Sequence, residues 1–200
     1  MGFATDKYAI LSARFPETNV LGVKTFGKTL YGTGLIGMFC CGNSNGVLLP
    51  YFTEEKELRN FKTSLGEYDV KTGVLKDDCT AIGNLIACND KSAIVSPLVK
   101  DIKTIKDVLD VEVVKKTVGG HNEAGACLAV TNKGFLAHPN AEEELSELES
   151  ILGVKGLAGS VNCGFPFVKS GLIGNSKGYL TGMKTTGIEL GVIDDAFGFI

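Results

Sequence analysis

The chain repeats itself, and the period constrains what it can become. Four segments share one order: an apolar strand, a turn carrying asparagine, a second apolar strand, then proline or glycine. They run from Gly37 through Asn43 to Pro50, from Gly83 through Asn89 to Pro97, from Gly125 through Asn132 to Pro139, and from Lys169 through Asn175 to Gly182. The turn asparagines at 43, 89, 132 and 175 lie 46, 43 and 43 residues apart. Such a period marks an array of like supersecondary units, none able to bury its apolar face without neighbours. Tight hairpin turns need positive φ, which Gly adopts freely and Asn better than most residues. Asn45-Gly46 is that signal; Ser92 stands in place of glycine in the second turn and predicts a different turn shape there.

A helical stripe follows each hairpin. Leu58, Phe61 and Leu65 form the first, Ile102, Ile105, Val108 and Leu109 the second, Leu145, Leu148, Ile151 and Leu152 the third, and Leu190, Ile193 and Phe197 the fourth. Asn140 with Glu143, and Thr186 with Glu189, have capping-box spacing, and Thr53 precedes two acidic residues of a first turn. Gly66 and Gly153 stand where a left-handed residue ends a helix. Val111–Val118 and Lys155–Val161 read as strands leading into the next unit. Each unit is then strand, hairpin, strand, helix, strand, and short turns at even spacing predict one compact ring. Lys7-Tyr8-Ala9-Ile10-Leu11 reads as the second strand of an earlier copy with too few residues ahead of it for a full first strand. Ser12 to Gly34 carries only a weak helical stripe, so this first copy is expected to be trimmed.

Composition narrows the function. The 200 residues are 44% hydrophobic and 22% charged, with a net charge of −3, which is globular and mildly acidic. No cluster of Lys and Arg suits a nucleic-acid wrap, and an acidic surface favours a basic protein partner. No apolar run approaches the roughly 18 residues of a membrane span, and Met1 to Asp6 lacks signal-peptide character. Cys40, Cys41, Cys79, Cys88, Cys127 and Cys163 include no C-x-x-C pair, so buried thiols in a reducing cytoplasm are expected rather than a metal site.

Several stretches carry a resemblance: Gly37–Glu57, Ala81-Ile82-Gly83-Asn84 through Asn89-Asp90, Val130-Thr131-Asn132-Lys133-Gly134, and Thr185-Thr186-Gly187-Ile188-Glu189-Leu190. In these the chain resembles the translation initiation factor 6 family, particularly its archaeal branch, from about Leu30 to Ile200. The resemblance implies an α/β pentein, a β/α-propeller of five pseudo-symmetric repeats in one domain, the first truncated. In these terms the repeats span roughly 1–33, 34–77, 78–120, 121–164 and 165–200. It implies a monomer without cofactor or catalytic activity. That monomer would bind the large ribosomal subunit on its intersubunit face, mainly through the universal large-subunit protein fourteen near the sarcin–ricin loop and protein twenty-four, and block joining of the small subunit. Carried over residue by residue, the docking positions are Gly37, Met38, Ala81, Gly83, Asn84, Gly125, Ala126 and Lys169. They are expected at strand starts on one end of the ring. Met38 stands where many members carry Arg, and Lys169 where Gly is usual, so a repeat ring serving another complex stays open.

Other motifs have plainer readings. Gly32-Thr33-Gly34-Leu35-Ile36-Gly37 fits G-x-G-x-x-G, but it runs into Met38-Phe39-Cys40-Cys41, read as a strand, instead of opening a pyrophosphate-binding helix. The four asparagines read as turn residues before ligands. A pentein enzyme acting on guanidino groups is the catalytic alternative; it needs a nucleophilic Cys and a His base, for which Cys163, His121 and His138 are the available groups. Glu142, Glu143, Glu144, Glu147 and Glu149 read as a solvated helix face.

Overall fold

The computed structural model describes residues 2–200. Five small sheets follow one another along the chain. The first holds β1 (Gly2–Ala4), β2 (Tyr8–Ser12) and β3 (Lys24–Lys28). The second unit is α1 (Ile36–Phe39), β4 (Cys41–Gly42), β5 (Gly46–Pro50), α2 (Glu55–Gly66) and β6 (Lys71–Leu75). The third is α3 (Ile82–Leu85), β7 (Ile86–Cys88), β8 (Ser92–Val95), α4 (Ile102–Leu109) and β9 (Glu112–Lys115). The fourth is α5 (Ala124–Cys127), β10 (Leu128–Val130), β11 (Gly134–Ala137), a 3-10 turn Pro139–Glu144 running into α6 (Leu145–Leu152), and β12 (Lys155–Ala158). The last has a 3-10 turn Val168–Ser170, β13 (Leu172–Gly174), β14 (Tyr179–Thr181) and α7 (Gly187–Ala196).

Each first strand pairs antiparallel with the second across the hairpin. In four units a third strand returns parallel to the second. Among the described residues no sheet closes on itself; the units instead meet through their first strands. These touch in cyclic order, β1 with β4, β4 with β7, β7 with β10, β10 with β13, and β13 with β1.

The core follows the same circuit, because no unit can bury its own apolar face. Phe3 and Tyr8 pack with Val47 and Phe61 of the next unit. Leu48 packs with Ile86 and Ile105, Ile94 with Phe135 and Leu148, and Leu136 with Leu172 and Phe197. The fifth cluster joins Ile173 of the last unit to Ala9, Leu11 and Leu21 of the first. Every second strand except β14 is almost wholly buried, since it is flanked by strands on both sides.

The hairpin turns bind one unit to the next. The Asn89 carboxamide oxygen accepts from Lys91 N and Ser92 N of its own turn, while its Nδ2 donates to Thr131 O and Leu152 O of the following unit. Asn43 does the same toward Asn89 O and Leu109 O, and Asn175 toward Thr5 O and Leu21 O of the first unit. In the fourth unit the turn residue is Thr131, not Asn132: its hydroxyl accepts from Lys133 N and Gly134 N. Thr5 is the counterpart in the first unit. Asn132 lies one residue on and instead donates to Asp6 and Asp90, at 2.7 Å each.

Helix placement follows the apolar stripes, with local departures. Thr186 and Glu189 form the expected capping box, and Gly153 ends α6 at φ 65°. Gly66 is instead the last residue of α2, and the left-handed position after it is Asp69. The entry to the α6 region is His138, whose Nδ1 accepts from Asn140 N, so Asn140 lies inside the turn it was expected to cap. β9 and β12 are shorter than the spans 111–118 and 155–161. The first unit does possess a first strand, because three residues suffice when such strands are only two or three residues long everywhere. What it lacks is a crossover helix between β2 and β3.

Candidate functional site

The eight carried-over residues gather on one end of this circuit. Gly37 and Met38 lie in α1, Gly83 and Asn84 in α3 with Ala81 just before it, Gly125 and Ala126 in α5, and Lys169 in the Val168–Ser170 turn. These are single helical turns ahead of the first strands, not strand starts, and Met38-Phe39-Cys40-Cys41 is correspondingly helix before strand. α1 touches α3, α3 touches α5, and α5 touches the 168–170 turn. The glycines permit that contact. A Cβ on Gly37 would stand 2.7 Å from Gly2 O, one on Gly125 2.5 Å from Gly83 O, and one on Gly83 against Gly37 O.

Gly83 and Gly125 are buried. They therefore serve packing, and Met38, Ala81, Asn84 and Ala126 are half-exposed side chains of the row. Lys169 does not point outward. Its ammonium donates to Gly83 O at 3.0 Å and Ile86 O at 3.4 Å of the third unit. Burial lowers its pKa, opposed by the neighbouring Cys41 and Cys88 sulfurs. Lys169 thus plugs this end where the second, third and fourth units bring in glycine.

This end also carries side chains that sequence reasoning passed over. Second strands run away from the hairpin turns, so Tyr51, Leu98 and Met183, just beyond β5, β8 and β14, emerge beside the helical turns. Bonds from Ser96 N to Leu85 O and from Gly182 N to Gly171 O tie those exits there. Tyr31, Leu35 and Phe165 precede the helical turns at the same end. All six are exposed. Tyr31 and Tyr51 each meet Phe52 edge-on, as does Phe39 of α1. An apolar residue directly after the hairpin's closing proline, as in Pro50-Tyr51 and Pro97-Leu98, is the sequence signal that could have found two of them.

The axis is narrow. A cavity of about 40 Å³ lined by Gly2, Cys41, Cys88, Ala129, Lys169 and Leu172 among others holds little more than water. Burial pushes the Cys88 thiol up to about 12 and Cys41 well above the usual thiol range, the opposite of an activated nucleophile. Asn43, Asn89 and Asn175 spend their carboxamides on backbone groups, and Asn132 spends its amide on Asp6 and Asp90, so none is held ready for a ligand. His121 and His138 lie with ring centroids 4.7 Å apart and their planes tilted by 48°, and Phe167 meets both edge-on. Burial, then His121, lowers the His138 pKa. Cys163 is exposed in a loop. The acidic helix face is partly paired, Lys116 reaching Glu144 and Glu147 and Lys155 reaching Glu149. Among the described residues no group of three metal-ligating side chains forms, and no helix is long and apolar enough to cross a membrane.

One buried carboxylate fixes the loop leading to the 168–170 turn. Glu189 accepts from Ser160 Oγ (2.7 Å), Cys163 N (3.0 Å), Gly164 N (2.8 Å) and Thr186 N (2.7 Å). Burial alone would raise its pKa, but these donors prevail and hold it at about 2. A group depressed in the folded state stabilises it above the unfolded value of 4.5, and this is lost as pH falls toward 2. Glu189→Gln replaces an acceptor oxygen by a donor facing donors and is expected to cost roughly 2–3 kcal/mol at pH 7. Urea unfolding at stepped pH should show that deficit shrinking between pH 5 and 2; a constant deficit would remove the carboxylate's charge from the account.

Comparison with known proteins agrees with the motifs. Residues 1–196 match the model of the eIF-6 family. The chain is 34% identical over 210 residues to translation initiation factor 6 of Thermococcus onnurineus, covering all of this chain and 92% of that protein. It is 40% identical over 188 residues to that of Methanocaldococcus jannaschii, covering 92% and 82%. It is 35% identical over 200 residues to the eukaryotic translation initiation factor 6 of Schizosaccharomyces pombe, covering 98% and 80%. With the family model matching residues 1–196 and the similarity to these relatives running nearly end to end, the chain belongs to the eIF-6 family.

Proposed function

We propose that this protein acts in translation initiation as a cytoplasmic anti-association factor. In this reading it is a five-unit pentein propeller that docks on the intersubunit face of the large ribosomal subunit and excludes the small subunit by bulk. The docking end is the one bearing α1, α3, α5 and the 168–170 turn, and the partner is chiefly the universal large-subunit protein fourteen near the sarcin–ricin loop. One observation carries this reading: the half-exposed Met38, Asn84 and Ala126 share an end with the exposed apolar side chains of Tyr31, Leu35, Tyr51, Leu98, Phe165 and Met183. Apolar anchors set among polar groups are the make-up of a protein interface. A 21.1 kDa body on a surface that two particles must share needs no catalysis and no conformational signal to keep them apart.

Asn84 is the polar anchor in this proposal. Its backbone is held by the bond from Asn84 N to Ala81 O, and its half-exposed side chain is free to serve a partner. Asn84→Ala should leave stability within about 0.5 kcal/mol of the parent and weaken co-sedimentation with isolated large subunits about tenfold, a change worth about 1.4 kcal/mol. Parent protein that stays in the supernatant at micromolar large subunits would defeat the proposal. A variant that melts early would reassign Asn84 to the fold.

A further inference from the structure

Among the described residues with positive φ, Tyr31 is the one with a large side chain. Gly, Asn and Asp tolerate the left-handed region, whereas a bulky residue there is strained. Tyr31 has φ 48° and Gly32 φ 69°. Leu30 N donates to Thr33 O at 3.0 Å and Thr33 N to Leu30 O at 2.9 Å. Residues 30–33 therefore form a primed hairpin turn, which asparagine followed by glycine fits best. The fourth unit builds the same turn over residues 118–121 with Gly119 and Gly120, at φ 57° and 80°. One bond ties each turn to the helical segment of its own unit: Gly119 N to Glu144 Oε1 at 2.9 Å, and Tyr31 N to Glu57 Oε1 at 2.6 Å. The two backbones match, and glycine meets their needs without strain.

The tyrosine ring does little for the fold in return. Tyr31 is 67% exposed, and its ring meets Phe52 edge-on with centroids 5.9 Å apart. Its display instead completes a patch. Phe52 also meets Phe39 of α1 and Tyr51 edge-on, at 5.2 and 5.9 Å. Tyr51 is exposed, as is Leu35, the residue that precedes α1 and lies three before Met38. The five side chains of this patch include no cation, and the carboxylate that holds Tyr31 N with one oxygen holds Glu54 N with the other. Grooves that take RNA interleave Lys and Arg with their aromatics to meet phosphate. Clustered aromatics without such cations suit an apolar pocket on a protein.

On the footing of the docking proposed above, we propose that Tyr31 is a binding anchor, held in its strained turn to enter an apolar pocket on a protein of the large subunit. Glu57 is the positioning residue, since its bond to Tyr31 N fixes the turn against α2. The free chain bears the strain, and the complex gains the buried ring. Stability and affinity should therefore move in opposite directions when position 31 is given the residue its turn prefers.

Tyr31→Asn makes that change. It should raise Tm by about 2–4 °C and weaken co-sedimentation with isolated large subunits about tenfold or more. Tyr31→Ala keeps the strain and loses the ring, so it should bind as weakly without the gain in Tm. Tyr31→Phe should match the parent in both. An Asn variant that binds like the parent would overturn the proposal and leave the docking itself standing, whereas a parent that stays in the supernatant would remove both. An Asn variant no more stable than the parent would overturn it too, because the turn would then hold no strain. p-Benzoylphenylalanine at position 31 should photocrosslink to a protein of the large subunit; crosslinks to ribosomal RNA alone would overturn the protein pocket.

Discussion

Replacing Asn89 should rank three variants in a fixed order at pH 7, with Asn89→Thr losing least, Asn89→Ala more, and Asn89→Asp most. The residue is 3% exposed and makes two separable sets of bonds. Its oxygen holds Lys91 N and Ser92 N, which shapes the turn; its Nδ2 holds Thr131 O and Leu152 O, which ties the third unit to the fourth. Threonine already performs the first task at positions 5 and 131. Asn89→Thr is therefore expected to lose only the inter-unit bonds, roughly 1–2 kcal/mol, and Asn89→Ala both sets, roughly 2–4 kcal/mol.

The aspartate variant keeps the turn oxygen but places a second, anionic oxygen 2.9 Å from the Leu152 carbonyl, where the amide donated. A buried charge facing an acceptor costs more than an empty site, so a loss of about 4 kcal/mol or more is expected. Its pKa must rise in the folded state for the same reason. A group that binds its proton more tightly when folded gains stability as pH falls through the folded pKa. The Asp variant should thus recover on acidification, since a protonated carboxyl donates to Leu152 O, while the Ala variant should not. Urea unfolding at pH 7 and pH 5 reads both effects. Equal losses for the Thr and Ala variants would show that the inter-unit bonds contribute nothing.

This bond set also marks where the sequence was legible. The hairpins and long helices announced themselves because their periodicity is local, and Asn43, Asn89 and Asn175 are turn residues, but through main-chain bonds to their side-chain oxygens and not through the expected positive φ, which no residue of these three turns adopts; the Asn89 turn, with Ser92 in place of glycine, makes the same bonds as the Asn43 turn. Position 132 misled because Thr131 performs the asparagine's local task, and only the neighbouring unit reveals which of two adjacent polar residues faces the turn. The single-turn helices were unreadable for a different reason. Met38-Phe39-Cys40-Cys41 is apolar throughout, and a four-residue buried run has no period by which helix differs from strand. Thr186 and Glu189 were recognisable as a cap, yet most of the Glu189 bonds come from Ser160, Cys163 and Gly164, more than twenty residues upstream. The candidate docking residues came through family resemblance alone; that Gly83 and Gly125 are packing devices, and that Lys169 turns inward, needed the neighbouring backbones.

Gly83→Ala should destabilise the protein by roughly 3 kcal/mol or more, against the sign that local propensity assigns. Alanine is favoured over glycine inside a helix by about 1 kcal/mol, and Gly83 lies within α3. Its missing side chain, however, leaves room for the backbone of α1: a Cβ there would meet Gly37 O, with Cys40 O at 2.6 Å and Met38 O at 2.9 Å. Two carbonyls of one short helix and that of its C-cap residue Cys40 cannot all retreat without moving that helix, and overpacking of this kind costs about 1–3 kcal/mol, more when backbone must shift. Gly191→Ala is the matched control, since Gly191 lies inside α7 with nothing within 4 Å of its would-be Cβ. It should gain up to about 1 kcal/mol. Separation of α1 from α3 would also displace Met38 relative to Asn84, so whatever Gly83→Ala protein remains folded should co-sediment poorly with large subunits. A Gly83→Ala variant as stable as the parent would mean that neighbouring units are joined loosely at this end, and a rigid row of docking residues would go with it.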